Sequence, residues 1–187
     1  MHLAKPHKEA MPQKEIWTIG HSTRSLEEFI EMLQSFNIAL IADIRSYPGS
    51  RRYPHFNKAS LQESLSASAI QYIHMPELGG RRIPKADSKN TAWRNAGFRG
   101  YADYMETDDF KNAITGLQEI ATRQRTAYMC SEAIWWRCHR SLVSDYLQLH
   151  GWLVTHIMGR EKGQAHTYTK PARIEAGELK YNEPSLL

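Results

Sequence analysis

Cysteine is scarce, with two residues in a chain of 187. That excludes a disulfide-stapled scaffold and makes a reducing cytoplasm the expected compartment. Long apolar runs are also missing. None approaches the ~20 residues that a membrane span requires, so no membrane partner is expected. The opening MHLAKPHKEAMPQKE has no apolar stretch of the secretory kind, and residues 1–14 read as a flexible leader. Neither sign of charge dominates: 24 Lys and Arg against 20 Asp and Glu give a net +4, and the pI is about 9.1. Such a surplus permits a phosphate-bearing partner without demanding one. The glycine-rich dinucleotide fingerprint is absent too, since TIGHS carries a single glycine. Nicotinamide and flavin binding are therefore unsupported, and no cofactor is assigned. There is no internal repeat and no sign of a second domain.

Five short apolar segments are present: EIWTIG (15–20), ALIADIR (39–45), IQYIHM (70–75), TAYMC (126–130) and LVTHIM (153–158). Near-continuous apolar character suits strands covered on both faces, as in a parallel sheet. Helical patterns separate them. Leu26, Phe29, Ile30, Leu33 and Phe36 share one face at 3.6 spacing. Ser25 with Glu28 forms a capping box before them, and Asn37 can end the helix in a left-handed turn. Ser60 with Glu63 repeats the capping signature, Phe110, Ile114, Leu117 and Ile120 form another stripe, and Gly151 closes RSLVSDYLQLHG. This alternation predicts an α/β domain over residues 15–160, a Rossmann-like three-layer fold with a mainly parallel five-stranded sheet. Residues 161–187 read as a polar C-terminal extension. The stretch from about 79 to 100 has no clean period and reads as a long loop carrying a short turn of helix, the kind that in compact domains is usually functional or disordered.

Polar and glycine residues follow four of the five strands: GHST, DIRSYPGS, PELGG and CSEAIWWRCHR. Open α/β sheets bind ligands outside the carboxyl ends of their strands, so this edge is the expected site. TIGHS, DIRSYPGS followed by FN, YIHMPELGG, GFRGYADYM, YMCSE with CHR, and a final HI occur in that order. The ordered set resembles the DUF488 family of bacterial and archaeal proteins, which implies an α/β fold and no defined activity. Trp135 and Trp136 depart from the resemblance, standing where a proline-bearing loop is expected.

Each candidate residue has a bland reading beside the functional one. Cys138, His139 and Arg140 stand at the start of a helix, where the helix end and a guanidinium lower a thiol pKa. Cys138 is thus a candidate nucleophile or a small packed residue, and Cys130 reads as packing. Cys130 to Arg137 is C-x6-R, one residue longer than the phosphate loop of cysteine phosphatases. A rhodanese-type transfer lacks the compact loop after its thiol. Cys130, Cys138, His139, His21 and His156 are the residues to consider for a metal, but C-x7-C-H is not a usual zinc spacing, and no metal site is assigned. His156 reads as a core histidine. Asp43 and Glu132 are candidate acid–base carboxylates, orienting His21 or sharing proton transfer with His21 or His139; the alternative is ion pairing with Arg45 and Arg140. Gly20, Ser22 and Thr23 offer an anion-binding turn, Arg45 and Arg140 offer cations, and Gly79 and Gly80 let backbone approach a ligand. Tyr47, Tyr53, Phe56, Trp93, Phe98, Trp135 and Trp136 either stack a base or lid the sheet edge, the tryptophans being expected to wall the pocket.

Two classes of function follow. The first is an enzyme, a hydrolase or transferase acting on a phosphate-bearing or nucleotide-like small molecule. The second is a nucleic-acid-binding module gripping its partner through the basic, aromatic loops 45–58 and 81–99. Carboxylates are a liability in a groove built for phosphate, which favours the enzyme. A redox sensor using the two thiols is a third reading.

Overall fold

A computed structural model describes residues 13–183; residues 1–12 of the expected leader lie outside them, and Lys14 already belongs to a strand. The elements run β1 (Lys14–Gly20), α1 (Leu26–Ser35), β2 (Leu40–Asp43), α2 (Lys58–Ala67), β3 (Gln71–His74), α3 (Ala96–Met105), α4 (Asp108–Arg123), β4 (Thr126–Cys130), α5 (Arg140–Leu149), β5 (Trp152–Gly159), β6 (Lys162–Ala165), β7 (Arg173–Glu175) and β8 (Glu178–Lys180). The sheet order is β3-β2-β4-β1-β5-β6. All neighbours are parallel except β5 and β6. The sheet is thus six-stranded, one more than expected, because the polar KGQA segment pairs antiparallel with β5. Its four residues are all exposed, so no hydrophobic pattern marks it as a strand.

Side-chain alternation along each strand splits the core in two. Ile16, Leu40, Ala42 and Tyr128 join Tyr101, Phe110, Ile114, Leu117, Leu142 and Val143 on one face. Trp17, Ile19, Ile41, Ala127 and Met129 join Phe29, Met32, Leu33, Leu61 and Leu65 on the other. Helices α3, α4 and α5 therefore cover one side and α1 and α2 the other, the three-layer Rossmann-like arrangement.

Local signals explain most element boundaries. Ser25 accepts the Glu28 backbone N–H at 3.1 Å, and Asn37 ends α1 at φ +52°. The reciprocal half of the capping box is replaced, because the Glu28 carboxylate lies 3.3 Å from Arg24 Nε. Helix α2 begins at Lys58, ahead of the expected Ser60 cap. The 3₁₀ turn Pro54–Phe56 leads directly into it, leaving Ser60 inside the helix. Helix α3 is longer than the short helical turn expected within the loop from about 79 to 100, running ten residues and past the loop's end at residue 100. Asn95 caps it by accepting from Gly97 and Phe98 N–H. Gly100 is required because a Cβ there would meet the Arg82 carbonyl at 2.7 Å.

The polar residues after β5 are integral to the domain. Asp145 on α5 is fully buried and accepts from His166 Nε2 at 2.9 Å, Thr169 N at 2.9 Å, Thr169 Oγ1 at 2.6 Å and Tyr181 Oη at 2.9 Å. One carboxylate thereby ties three residues of the C-terminal segment to a central helix. His156 is confirmed as a core histidine. Its Nε2 lies 2.9 Å from His166 Nδ1, and its ring stacks on Trp135 at 4.1 Å.

Candidate functional site

Neighbouring strands β1 and β4 send their connections to opposite faces, β1 into α1 and β4 into α5. Crossovers diverging from adjacent strands leave a crevice at the carboxyl edge, the usual ligand position in this fold class. Gly20 and Cys130, the last residues of the two strands, are register partners. The pairing continues beyond them, with His21 N donating to the Cys130 carbonyl at 3.0 Å and Ser22 N to Ser131 at 2.9 Å. Above this point opens a cleft of about 700 Å³.

The cleft gathers much of the expected site. His21, Ser22, Thr23, Arg45, Gly80, Glu132, Cys138 and His139 all line it, as does Cys130. Three arginines face it: buried Arg45 at its base, and exposed Arg81 and Arg137 on its walls. Arg81 and Arg137 are missing from the site residues chosen on sequence, although both fall in segments singled out there. The two basic, aromatic loops both line the cleft, with Tyr47 and Tyr53 from one and Asn95 and Phe98 from the other.

Asp43 lies behind the cleft rather than in it. Its carboxylate is fully buried and accepts from Arg45 Nε at 2.9 Å, Arg45 Nη2 at 2.6 Å, Arg45 N at 3.0 Å and Tyr72 Oη at 2.7 Å. With both oxygens engaged it positions Arg45 and takes no direct part with His21, which meets the guanidinium instead: Arg45 Nη1 is 3.2 Å from His21 Nε2. His21 Nδ1–H donates to its neighbour's carbonyl at 3.0 Å, so Nε2 is left to accept. Burial first, then the Arg45 charge, lower the His21 pKa to about 4, and the ring stays neutral at physiological pH. Phe56 stacks on it at 4.2 Å.

Arg140 does not reach the cleft, contrary to its expected role as an anion ligand. Its guanidinium is buried, donating to Thr18 Oγ1 at 3.1 Å and to the Glu132 and Ala133 carbonyls. It clamps the loop after β4 from below. Glu132 is bound to Arg140 through its backbone, while its carboxylate is exposed, 3.4 Å from Ile134 N. Gly20 and Gly79 also support from behind. A Cβ on Gly20 would lie 1.8 Å from the Glu132 carbonyl, and one on Gly79 would lie 2.3 Å from Ser46 Oγ. Gly80 makes room for His139, whose ring would meet a Cβ there at 2.3 Å. The tryptophans do not wall the pocket. Trp135 turns inward onto His156, and Trp136 points away, half exposed.

Cys138 and Cys130 share the floor. Burial alone would raise the Cys138 pKa, but a hydrogen bond from Cys130 and then the Arg140 guanidinium bring it down to about 6. The same hydrogen bond and burial push Cys130 up to about 12. The two sulfurs lie within 4.8 Å of each other, and the directions of shift favour the thiolate on Cys138 and the thiol on Cys130. His139 Nδ1 stands 3.5 Å from Cys138 Sγ. Cys130, Cys138 and His139 present their donor atoms within 4.8 Å of one another, a set that a soft, thiophilic ion would suit. His21 and His156 lie outside that set.

A family model described as a domain of unknown function, DUF488, matches residues 25–147. The chain belongs to the DUF488 family. Cys130, Glu132, Cys138, His139 and Arg140 of this DUF488 domain fall within the match, while Gly20, His21, Ser22 and Thr23 of β1 and its following turn precede it. Comparison with curated proteins and with solved structures gave no significant match.

Proposed function

We propose that this DUF488 protein is an enzyme whose Cys138 thiolate attacks an electrophilic centre of a phosphate-bearing or nucleotide-like small molecule. The observation that carries the reading is the position of that thiol, on the floor of an open cleft with Arg45, Arg81 and Arg137 around it. A thiolate is the reactive form of cysteine, and a ring of guanidinium groups is suited to a phosphate. The phosphate serves as a handle rather than as the reacting centre. The loop from Cys130 to Arg137 is one residue too long for a phosphatase cradle, and Arg140 beyond it is engaged below with backbone carbonyls. His139 is close enough to exchange a proton with the thiol. Glu132 supplies the cleft's one carboxylate among the described residues that line it.

A thermal-shift screen of nucleotides, sugar phosphates and short oligonucleotides tests this. A ligand at 100 times its Kd adds about 2.7 kcal/mol to stability. A small phosphorylated hit weakened by Arg137→Ala and Arg81→Ala, with Cys138→Ser binding it unturned, supports the enzyme. The second reading, a nucleic-acid groove, draws on the two basic, aromatic loops meeting at the cleft, where Arg81 lies 5.3 Å over the exposed Tyr47 ring. Oligonucleotide binding that falls by roughly 0.7–0.9 log units per log unit of salt for each phosphate contacted would replace the first reading with this one.

A further inference from the structure

Cys130 has no part in the chemistry proposed above, yet it lies beside the nucleophile in the same cleft. It ends a buried strand, whereas Cys138 precedes α5, and seven residues of chain separate the two. Their sulfurs are within 4.8 Å of each other and no disulfide joins them. A disulfide needs the sulfurs at about 2.05 Å, so closing the pair takes a local adjustment and no refolding. The strand end is held by the sheet, but the segment between the cysteines is largely surface, with Ser131, Glu132, Trp136 and Arg137 exposed. Closing the pair must therefore shift that segment against the backbone contacts that Ser22 and Arg140 make with Ser131, Glu132 and Ala133.

We infer that Cys130 and Cys138 form a two-cysteine centre that reacts with hydroperoxides, Cys138 being the attacking thiol and Cys130 the resolving one. The inference rests on the reading of Cys138 as the cleft's reactive thiolate. In the first step the Cys138 thiolate attacks the O–O bond. One oxygen stays on sulfur as sulfenic acid, and the other leaves as alkoxide, taking a proton from solvent to become the alcohol. In the second step the Cys130 sulfur attacks the sulfenic sulfur. An S–S bond forms, the S–O bond breaks, and hydroxide leaves with the Cys130 proton as water. A small dithiol reverses the change by two exchanges, becoming a cyclic disulfide as both protein thiols are regained. Cys130 lies at the fixed end of β4 within 4.8 Å of the Cys138 sulfur, and prompt resolution keeps Cys138 from irreversible oxidation. Oxidation would also take the nucleophile away from its substrate, so peroxide would silence the cleft reversibly.

The test begins with fully reduced protein freed of reductant. It is treated with one equivalent of hydrogen peroxide at pH 7, quenched with an alkylating agent and mapped by mass spectrometry, alongside Cys130→Ser and Cys138→Ser. The expected result is loss of two hydrogens in the wild type, with both thiols blocked and both restored by dithiothreitol. Cys130→Ser should instead gain one oxygen at Cys138, trappable by a sulfenic-acid reagent, and Cys138→Ser should consume peroxide at least tenfold more slowly. Wild type that accumulates two or three oxygens on Cys138 while Cys130 stays free overturns the inference and leaves the nucleophile reading intact. Cys138 that resists alkylation even without peroxide overturns both. Thiols that alkylate only after a chelator also overturn it, and assign the three donors to a metal instead.

Discussion

The depressed Cys138 pKa makes a prediction whose most obvious form would mislead. At about 6, roughly nine tenths of Cys138 is thiolate at pH 7, against about 3% for a cysteine of pKa 8.5. That is a gain of about thirtyfold. Intrinsic nucleophilicity falls with pKa, however, and a Brønsted slope of 0.4–0.5 over 2.5 units removes about 10- to 18-fold. The net advantage over a free thiol at pH 7 is therefore only about 2- to 3-fold, easily hidden by the burial of the sulfur. At pH 5 the thiolate fractions are about 9% and 0.03%, and the same correction leaves roughly a 15- to 30-fold advantage. The quantity to measure is the midpoint. Second-order rates with a small aromatic disulfide, followed from pH 4.5 to 10 in Cys130→Ala and wild type, should rise through about pH 6 in the wild type. The midpoint should lie higher in Cys130→Ala, which removes the neighbouring thiol and supplies no other donor. Arg140→Lys, which retains the cation, should move the midpoint less than Arg140→Met, with circular dichroism confirming that each is folded. A wild-type midpoint above pH 8 would refute the argument, since no shared proton or guanidinium would then be acting on the thiol.

Acid should destabilise the fold well before the carboxylates titrate. His21 and His156 are held neutral in the folded state, at about 4 and about 2, while the unfolded chain takes up both protons below about 6.5. Stability should therefore fall as pH drops from 6.5 toward 4, with a slope approaching roughly 2.7 kcal/mol per pH unit; urea midpoints flat across that window would contradict it. Asp43→Asn removes the charge that pairs with buried Arg45 and should cost about 3–5 kcal/mol in urea unfolding. Gly20→Ala places a methyl inside contact distance of the Glu132 carbonyl, and should displace the loop after β4 and slow Cys138 alkylation more than it lowers Tm. Asp145→Ala strands donors on His166, Thr169 and Tyr181, so amide exchange should accelerate across residues 162–181 before it does in β2 or β4.

The parallel strands were legible because burial on both faces writes itself as continuous apolar sequence. The site edge was legible because polar residues followed the strands one after another. Helix α3 was obscured by Gly97 and Gly100, although Phe98, Tyr101, Ala102 and Met105 hold the 3.6 period. Strand β6 was illegible because an exposed edge strand has no hydrophobic face to declare. The errors at the site came from side-chain direction. Sequence placed Arg140 at the right edge of the sheet, but Thr18 and two carbonyls claim its guanidinium from below. It placed Asp43 there too, but Arg45 and Tyr72 occupy both its oxygens. Strand-end position identifies which residues are near a cleft, while competition among buried partners decides which of them face it.

The family match begins at residue 25, after β1 has ended. Yet β1 lies between β4 and β5 in the sheet, where it is hydrogen-bonded on both edges. A polypeptide trimmed to the matched residues would lose an interior plank, exposing an unpaired edge of β4 and the apolar faces once sealed by Ile16, Trp17 and Ile19. It would also lose the turn that carries His21 and Ser22, one whole wall of the crevice. The portion of this chain that the family match covers is thus smaller than its unit of folding, and fragments for expression should be cut from the sheet outward, keeping β1 through β8 together.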